Sequence, residues 1–187
     1  MNKQNREIEV RFLHIDKDLL IKNLHNLQAE DLGEFLLKEI IFYDPKLEYL
    51  KEGKVVRLRS NNGKITLAYK HHTNNKIDGA EEIEFDVNSI EKAKDFLEKV
   101  GLIAYREQEK KRHTFKMEDT TIDIDTWPSL PPYVEIEGET EEEVKMISQQ
   151  LGFNWEDAIF ENAKIVIEKY YNIPVSKLRS FTFDKIE

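Results

Sequence analysis

Along residues 6–12, Arg-Glu-Ile-Glu-Val-Arg-Phe, charged and apolar side chains alternate one for one. A period of two belongs to a β-strand, so Ile8, Val10 and Phe12 share one face while Glu7, Glu9 and Arg11 share the other. The pattern recurs and predicts eight strands, at about residues 6–14, 35–44, 54–60, 64–72, 80–87, 103–115, 121–127 and 133–138. The third and fourth flank Asn61-Asn62-Gly63, residues that tolerate the positive φ of a tight hairpin turn. A period near 3.6 takes over between strands. Asp16 is placed to cap a helix with Leu19, Leu20, Ile21, Leu24 and Leu27 on one face. Asn88 and Glu91 open a second helix, stopped at Gly101. Thr140 and Glu143 open a third that closes at Gly152, with more helix over residues 155–171. Residues 173–183 carry weak local signals.

The order of elements predicts an α+β fold of mostly antiparallel strands, with helices inserted after the first and fifth strands and appended at the end. At 187 residues, 40% hydrophobic and 35% charged, the chain suits one domain over 1–187, with strands in about 5–138 and a helical segment in about 140–187. No apolar run is long enough to span a bilayer, and the first residues lack the apolar core of a signal peptide, so a cytoplasmic protein without membrane contact is expected. The absence of cysteine excludes disulfides, thiolate catalysis and zinc-thiolate sites. A net charge of −9 disfavours generic nucleic-acid binding unless the basic residues are segregated.

They are segregated by strand. Like charges two residues apart, hence on one face, occur as Glu7/Glu9, Arg57/Arg59, Glu82/Glu84, Lys110/Arg112, Asp123/Asp125 and Glu135/Glu137, with Lys70 ending the fourth strand. An antiparallel sheet with one wet side would also alternate. These positions, however, are almost purely Glu, Asp, Arg and Lys. An eight-stranded antiparallel sheet can close into a barrel, which removes its edges and makes one face an interior. A charged interior then requires the apolar face to be covered from outside by the amphipathic helices. Clustered carboxylates suit Mg²⁺ or Mn²⁺, and Arg with Lys suits phosphate oxygens. Together they describe a site for a metal-bound polyphosphate.

The segments Glu7–Arg11 (EIEVR), FYD, VVRLRS, AYK, EEIEFDV, EKKRHTF and IDIDTWPSLPPYVEIEG, in that order, resemble the CYTH family, the triphosphate tunnel metalloenzymes. That family includes class IV adenylyl cyclases and hydrolases of thiamine triphosphate and tripolyphosphate. The resemblance implies an eight-stranded antiparallel tunnel that binds a small-molecule triphosphate with a divalent metal. It implies metal-side carboxylates at Glu7, Glu9, Asp125, Glu135 and Glu137, and phosphate-binding cations at Arg11, Arg57, Arg59, Lys70, Lys110 and Arg112. Glu82 and Glu84 stand where family members often carry acidic residues; Asp123 follows from the period alone. Arg11 replaces the usual Lys of the E-x-E-x-K signature. Val10 replaces the Arg of the E-x-E-R-K-F strand of tripolyphosphate hydrolases, which favours the cyclase branch. ATP conversion to cyclic AMP is therefore the expected reaction, with triphosphate hydrolysis and a non-catalytic polyphosphate-binding module as alternatives and a homodimer as one compatible assembly. His71 and His72 point to opposite faces and read as surface residues. Tyr43-Asp44 reads as a strand end, Trp127 and Trp155 as packing residues, and Glu141 to Glu143 as the first turn of a helix.

Overall fold

The strands form where the alternation places them, and their register fixes which charges meet. The structure is a computed structural model that describes residues 6–73, 76, 77 and 80–187; the side chains of Arg6 and Glu7 lie outside that description. In chain order the elements are β1 (Arg6–Phe12), α1 (Lys17–Asn26), β2 (Glu30–Tyr43), α2 (Glu48–Lys51), β3 (Lys54–Asn61), β4 (Lys64–His72), β5 (Ala80–Val87) and α3 (Ile90–Lys99). They continue with β6 (Ile103–Met117), β7 (Thr120–Thr126), β8 (Tyr133–Gly138), α4 (Glu141–Gln150), α5 (Ala163–Tyr171) and the short β9 (Ser180–Phe181). Among the described residues no helix is long and apolar enough to cross a membrane.

Eight strands make one curled antiparallel sheet in the order β2-β3-β4-β5-β1-β8-β7-β6, and β9 adds to β6 in parallel. β6, at the far end of that order, also pairs with β2 from Tyr43↔Ile103 to Glu30↔Lys116. Among the described residues, β1 meets β5 at Arg6↔Glu81 and Glu7↔Ala80. The β3–β4 turn uses Asn62 and Gly63, at φ 44° and 86°, as hairpins with two positive φ values require. Gly53 also needs to be glycine: a Cβ there would lie 2.6 Å from the His72 carbonyl oxygen.

One face of the sheet is apolar and lies under helices. Val10, Phe12, Phe115, Ile122, Ile124, Val134 and Ile136 pack with Leu20 and Leu24 of α1 and with Val144 and Ile147 of α4. Leu97 of α3 joins Phe42, Val56 and Leu58. Trp127 and Tyr133 pack with Ile167, Val175 and Phe181 of the last forty residues' core contacts.

Several local expectations change. In α1, Leu20 and Leu24 are buried but Leu19 and Leu27 are exposed, since a helix on a sheet buries a narrower stripe than the run of leucines. The cap of α3 is Ser89, whose side chain accepts from Lys92 N–H, and not Asn88. The Thr140 cap forms as expected, accepting from Glu143 N–H, while Glu143 reaches back to Glu139 N–H rather than to Thr140. β2 begins earlier than residue 35, because β6 pairs with it back to Glu30. The helix expected over 155–171 is interrupted: Trp155–Asp157 makes one 3-10 turn and the α-helix runs over 163–171, capped by Asn162, because Ile159 between them is drawn onto β1 by two backbone hydrogen bonds with Arg11, at 2.9 and 3.0 Å.

Candidate functional site

Because side chains alternate, each strand sends its charged set to the face opposite the helices, where a cavity of about 300 Å³ opens. Among the expected residues, Glu9, Arg11, Arg57, Arg59, Lys70, Glu82, Glu84, Lys110, Arg112, Glu135 and Glu137 line it. Asp123 and Asp125 do not; they are buried behind the wall, at 6% and 0% exposure. The position of the Glu7 carboxylate lies outside the described residues. Its backbone pairs with Ala80, two residues before Glu9 on the same strand face.

The register explains the pairing of charges. Arg11 lies opposite Glu135, and Glu9 opposite Glu137, where β1 meets β8. Arg11 donates from Nε to Glu135 at 2.9 Å and from Nη2 to Glu9 at 2.9 Å, while its Nη1 donates to the Glu161 carbonyl at 2.8 Å. Burial opposes charge on Arg11, but Glu135 and Glu9 outweigh it and raise its pKa well above the ordinary value. Arg112 lies opposite Asp125 where β6 meets β7, and it grips Asp125 through Nε and Nη2, both at 2.7 Å. It also reaches Asp123 at 2.6 Å and Glu135. Lys110 donates to Asp125 at 2.6 Å. Asp125 therefore acts from beneath the wall, orienting Lys110 and Arg112. Lys110 is pulled below its ordinary pKa by burial and by Arg112, against the carboxylates around it.

On the opposite wall Arg59 donates from Nε to Glu39 at 2.7 Å, across the β2–β3 register pair that joins them. Arg57 donates to Glu82 at 3.1 Å and Glu84 at 3.0 Å, and Lys70 pairs with Glu82 at 3.0 Å. Glu84 and Glu137 are the more exposed carboxylates of this set, and Glu39 the most enclosed, at 4%. Burial alone would raise the Glu39 carboxyl; Arg59 and Arg57 outweigh it and hold it far below the usual carboxylate range.

Glu39, Arg106, Gln108 and Lys164 also line the cavity and were not among the expected site residues. Stepping back by two from Lys110 along β6 reaches Gln108 and Arg106, so the period that found the first pair extends to them. Glu39 is one charge between Leu37 and Ile41, with no like neighbour to mark it. Lys164 is brought in by the placement of α5, for which the local sequence has no signal. His72 also lines the cavity, contrary to the surface reading; the alternation puts His71 on the other side. Tyr43 lines it too, whereas Asp44 accepts from Tyr49 N–H and organises α2. Trp127 is a packing residue, stacked on Phe181 with centroids 5.8 Å apart, and it presents its ring to Lys110 as well.

The donor set suits a hard divalent cation. Glu9 and Glu137 lie opposite each other, and Glu7 precedes them on the same face. Among the described residues no three His, Asp or Glu side chains already converge on one point. Two carboxylates completed by waters and substrate oxygens are what Mg²⁺ or Mn²⁺ commonly takes, so the residues fit such an ion.

Comparison with known proteins agrees with this layout. A protein of Methanocaldococcus jannaschii named "Putative adenylate cyclase" is 25% identical over 132 residues, covering 70% of this chain and 75% of that protein. A solved structure of a Vibrio parahaemolyticus protein with the same name superposes with a TM-score of 0.76 at 17% identity, over 88% of this chain and 98% of that one. A Hippeastrum protein named "Putative adenylyl cyclase" and described as having a dominant triphosphatase activity has a TM-score of 0.61 at 17% identity, over 89% of this chain and 96% of that one. These likenesses in structure establish a shared fold. The model of the CYTH domain matches residues 5–166, most of the chain, and the protein belongs to the CYTH domain family.

Proposed function

We propose that this protein is a divalent-metal-dependent enzyme that acts on a triphosphate inside a tunnel, with ATP conversion to cyclic AMP and pyrophosphate as the reaction. In this reading the curled sheet closes into the tunnel, and the β2–β6 and β1–β5 pairings support that closure. The observation that carries this reading is the cavity itself: opposed rows of Arg and Lys share one space with the facing carboxylates Glu9 and Glu137. A binding module for polyanions accounts for the cations but makes those carboxylates a source of repulsion.

In this reading Glu7, Glu9 and Glu137 hold Mg²⁺ or Mn²⁺, which when bound neutralises and polarises the phosphates. Arg57, Arg59, Lys70, Lys110 and Arg112 grip phosphate oxygens, and Arg11 braces Glu9 and Glu135. Asp123 and Asp125 keep Arg112 and Lys110 aimed at the cavity. Glu82 and Glu84 restrain Arg57 and Lys70 until substrate displaces them. The charged groups are pre-placed, so positioning and charge neutralisation supply the acceleration. For cyclisation the ribose 3′-hydroxyl oxygen bonds to the α-phosphorus and its proton passes to solvent, while the P–O bond to the α–β bridging oxygen breaks and pyrophosphate leaves with that oxygen. The relative from Methanocaldococcus jannaschii supports cyclisation through its name.

Triphosphate hydrolysis is the second reading, favoured by the activity described for the Hippeastrum neighbour. Incubation with ATP and with tripolyphosphate, each with Mg²⁺ or Mn²⁺ and with EDTA controls, separates the two. Cyclic AMP with pyrophosphate supports the cyclase, and orthophosphate alone supports the hydrolase. No turnover of either substrate with either metal would overturn both.

A further inference from the structure

Strand β6 carries the cavity-lining row Arg106, Gln108, Lys110 and Arg112, and β7 pairs with it from Lys111 to Met117. Nearer residue 107 the short β9 lies alongside instead. Glu107 is opposite Ser180 and Gln108 opposite Phe181, and the Glu107 N–H donates to the Arg179 carbonyl at 3.0 Å. Register partners share a face, so Phe181 turns to the same side as Gln108. It is fully buried and stacks on Trp127, with centroids 5.8 Å apart and planes 16° apart. The same indole donates its N–H to the Tyr133 hydroxyl at 2.8 Å, and the Lys110 ammonium lies over its ring at 5.1 Å. The last residues are themselves tied in. The Tyr105 hydroxyl donates to the Ser176 carbonyl at 2.9 Å, the Arg179 guanidinium lies 3.7 Å from the Tyr105 ring centroid, and Ser180 and Glu187 exchange two backbone hydrogen bonds at 3.0 Å. All of them lie beyond the family match at 5–166.

We propose that the C-terminal segment over 176–187 is a positioning element of the site: Phe181, acting through Trp127, fixes where the Lys110 ammonium stands and so sets its grip on the substrate's phosphates. This rests on the reading of the cavity as a triphosphate site and adds a residue that reaches the site through two others. The reason is the chain of contacts. Lys110 has a flexible four-carbon stem and three donors, of which Asp125 accepts one at 2.6 Å. A single anchor leaves the ammonium free to swing; the π-face of Trp127 attracts it from a second direction. The indole serves only while its plane is held. Tyr133 holds its N–H edge and Phe181 its face, so the support for a charged group in the wall comes from an apolar residue brought in by β9. The segment with weak local signals in the sequence thereby acquires a role.

The test is calorimetric titration of the full chain with inorganic tripolyphosphate in EDTA, where metal-dependent turnover is silent. Phe181→Leu keeps an apolar side chain and removes the stacked ring. It is expected to weaken binding by about fivefold, as loss of one partly desolvated cation–π contact does. Trp127→Leu, which removes the plate itself, should weaken binding at least as much, whereas Trp127→Phe, which keeps a π-face, should stay within about twofold of wild type. Because Phe181 acts through Trp127, the double variant Trp127→Leu with Phe181→Leu should bind no more weakly than Trp127→Leu alone. Ile136→Val, a change of similar cost on the helix-covered face, should bind as wild type does. Losses that add in the double variant, or an equal loss in Ile136→Val, would overturn the positioning role. Phe181→Leu or Trp127→Leu binding within about twofold of wild type would overturn it as well, and would leave the proposed function standing. Wild type that neither binds tripolyphosphate nor turns over any triphosphate overturns both.

Discussion

On β8, Val134 and Ile136 are fully enclosed by apolar side chains beneath α1 and α4, whereas Glu135 and Glu137, one residue away, belong to a wall of charges. The same contrast runs along β1, where Val10 sits in the core and Glu9 and Arg11 line the cavity. The two faces are held by different physics. The helix-covered face is stabilised by removal of apolar area from water and tolerates no voids. The charged face is held by paired ions whose desolvation cost offsets much of their attraction, so it is expected to add little net stability. Stability and the proposed function therefore fall on opposite sides of the same strands.

The largest expected effect comes from the covered face. Ile136→Ala should lower unfolding stability by about 2–5 kcal/mol, the cost of a core cavity, while activity per folded molecule survives. Urea denaturation alongside product assays measures both. A loss of activity without loss of stability would show that the two faces are not separable.

Next comes the pair Arg57→Ala and Arg59→Ala. Glu39 then keeps Gln108 and the more distant Lys110 but loses both guanidinium partners. An uncompensated buried carboxylate costs about 3 kcal/mol, so the double variant should lose stability as well as substrate binding. Adding Glu39→Gln should restore the stability and not the activity. Recovery of both by the triple variant would remove these arginines from the proposed substrate site.

The contrast between faces also governs what could be read in advance. Period-two doublets are a property of the chain, and they located most of the lining because strand geometry turns spacing directly into facing. Glu39 escaped because its same-face neighbours, Leu37 and Ile41, are apolar and its importance comes from Arg59 across a register pair, which is non-local. Asp123 and Asp125 share the charged side of β7, yet they sit behind Arg112 and Lys110, a difference of depth that alternation cannot express. The last forty residues were least legible. Ile159 leaves helical geometry to bond with β1, and β9 is two residues long; both are imposed by partners distant in sequence.

A smaller effect concerns the metal. Glu9→Gln or Glu137→Gln should raise the Mg²⁺ or Mn²⁺ concentration needed for half-maximal activity by about 10–100-fold. The unfolding midpoint should stay near wild type, because each change removes negative charge from a crowded anionic wall. Loss of folding in both variants would instead give these carboxylates a structural role.

The smallest expected effect is one of sign, and it lies within the charged wall. Burial would raise the Glu39 and Glu135 carboxyls, but Arg59 and Arg57 for the first, and Arg11, Lys110 and Arg112 for the second, hold them below their ordinary values. Asp123 goes the other way: burial raises it, Asp125 and Glu135 add to this, and Arg112 does not fully compensate. For Glu39 and Glu135 the unfolded chain takes up protons first on acidification. Their contribution to stability is thus complete above the usual carboxyl value of about 4.3 and is lost as pH falls below it. For Asp123 the folded chain protonates first, so acidification toward the usual aspartate value of about 3.9 moves stability in the opposite direction. At pH 7, Glu135→Gln should therefore lower the urea midpoint and flatten its acid decline, whereas Asp123→Asn should leave the midpoint equal or higher. An Asp123→Asn variant as unstable as Glu135→Gln would mean that its contact with Arg112 outweighs the cost of crowding three carboxylates behind one guanidinium.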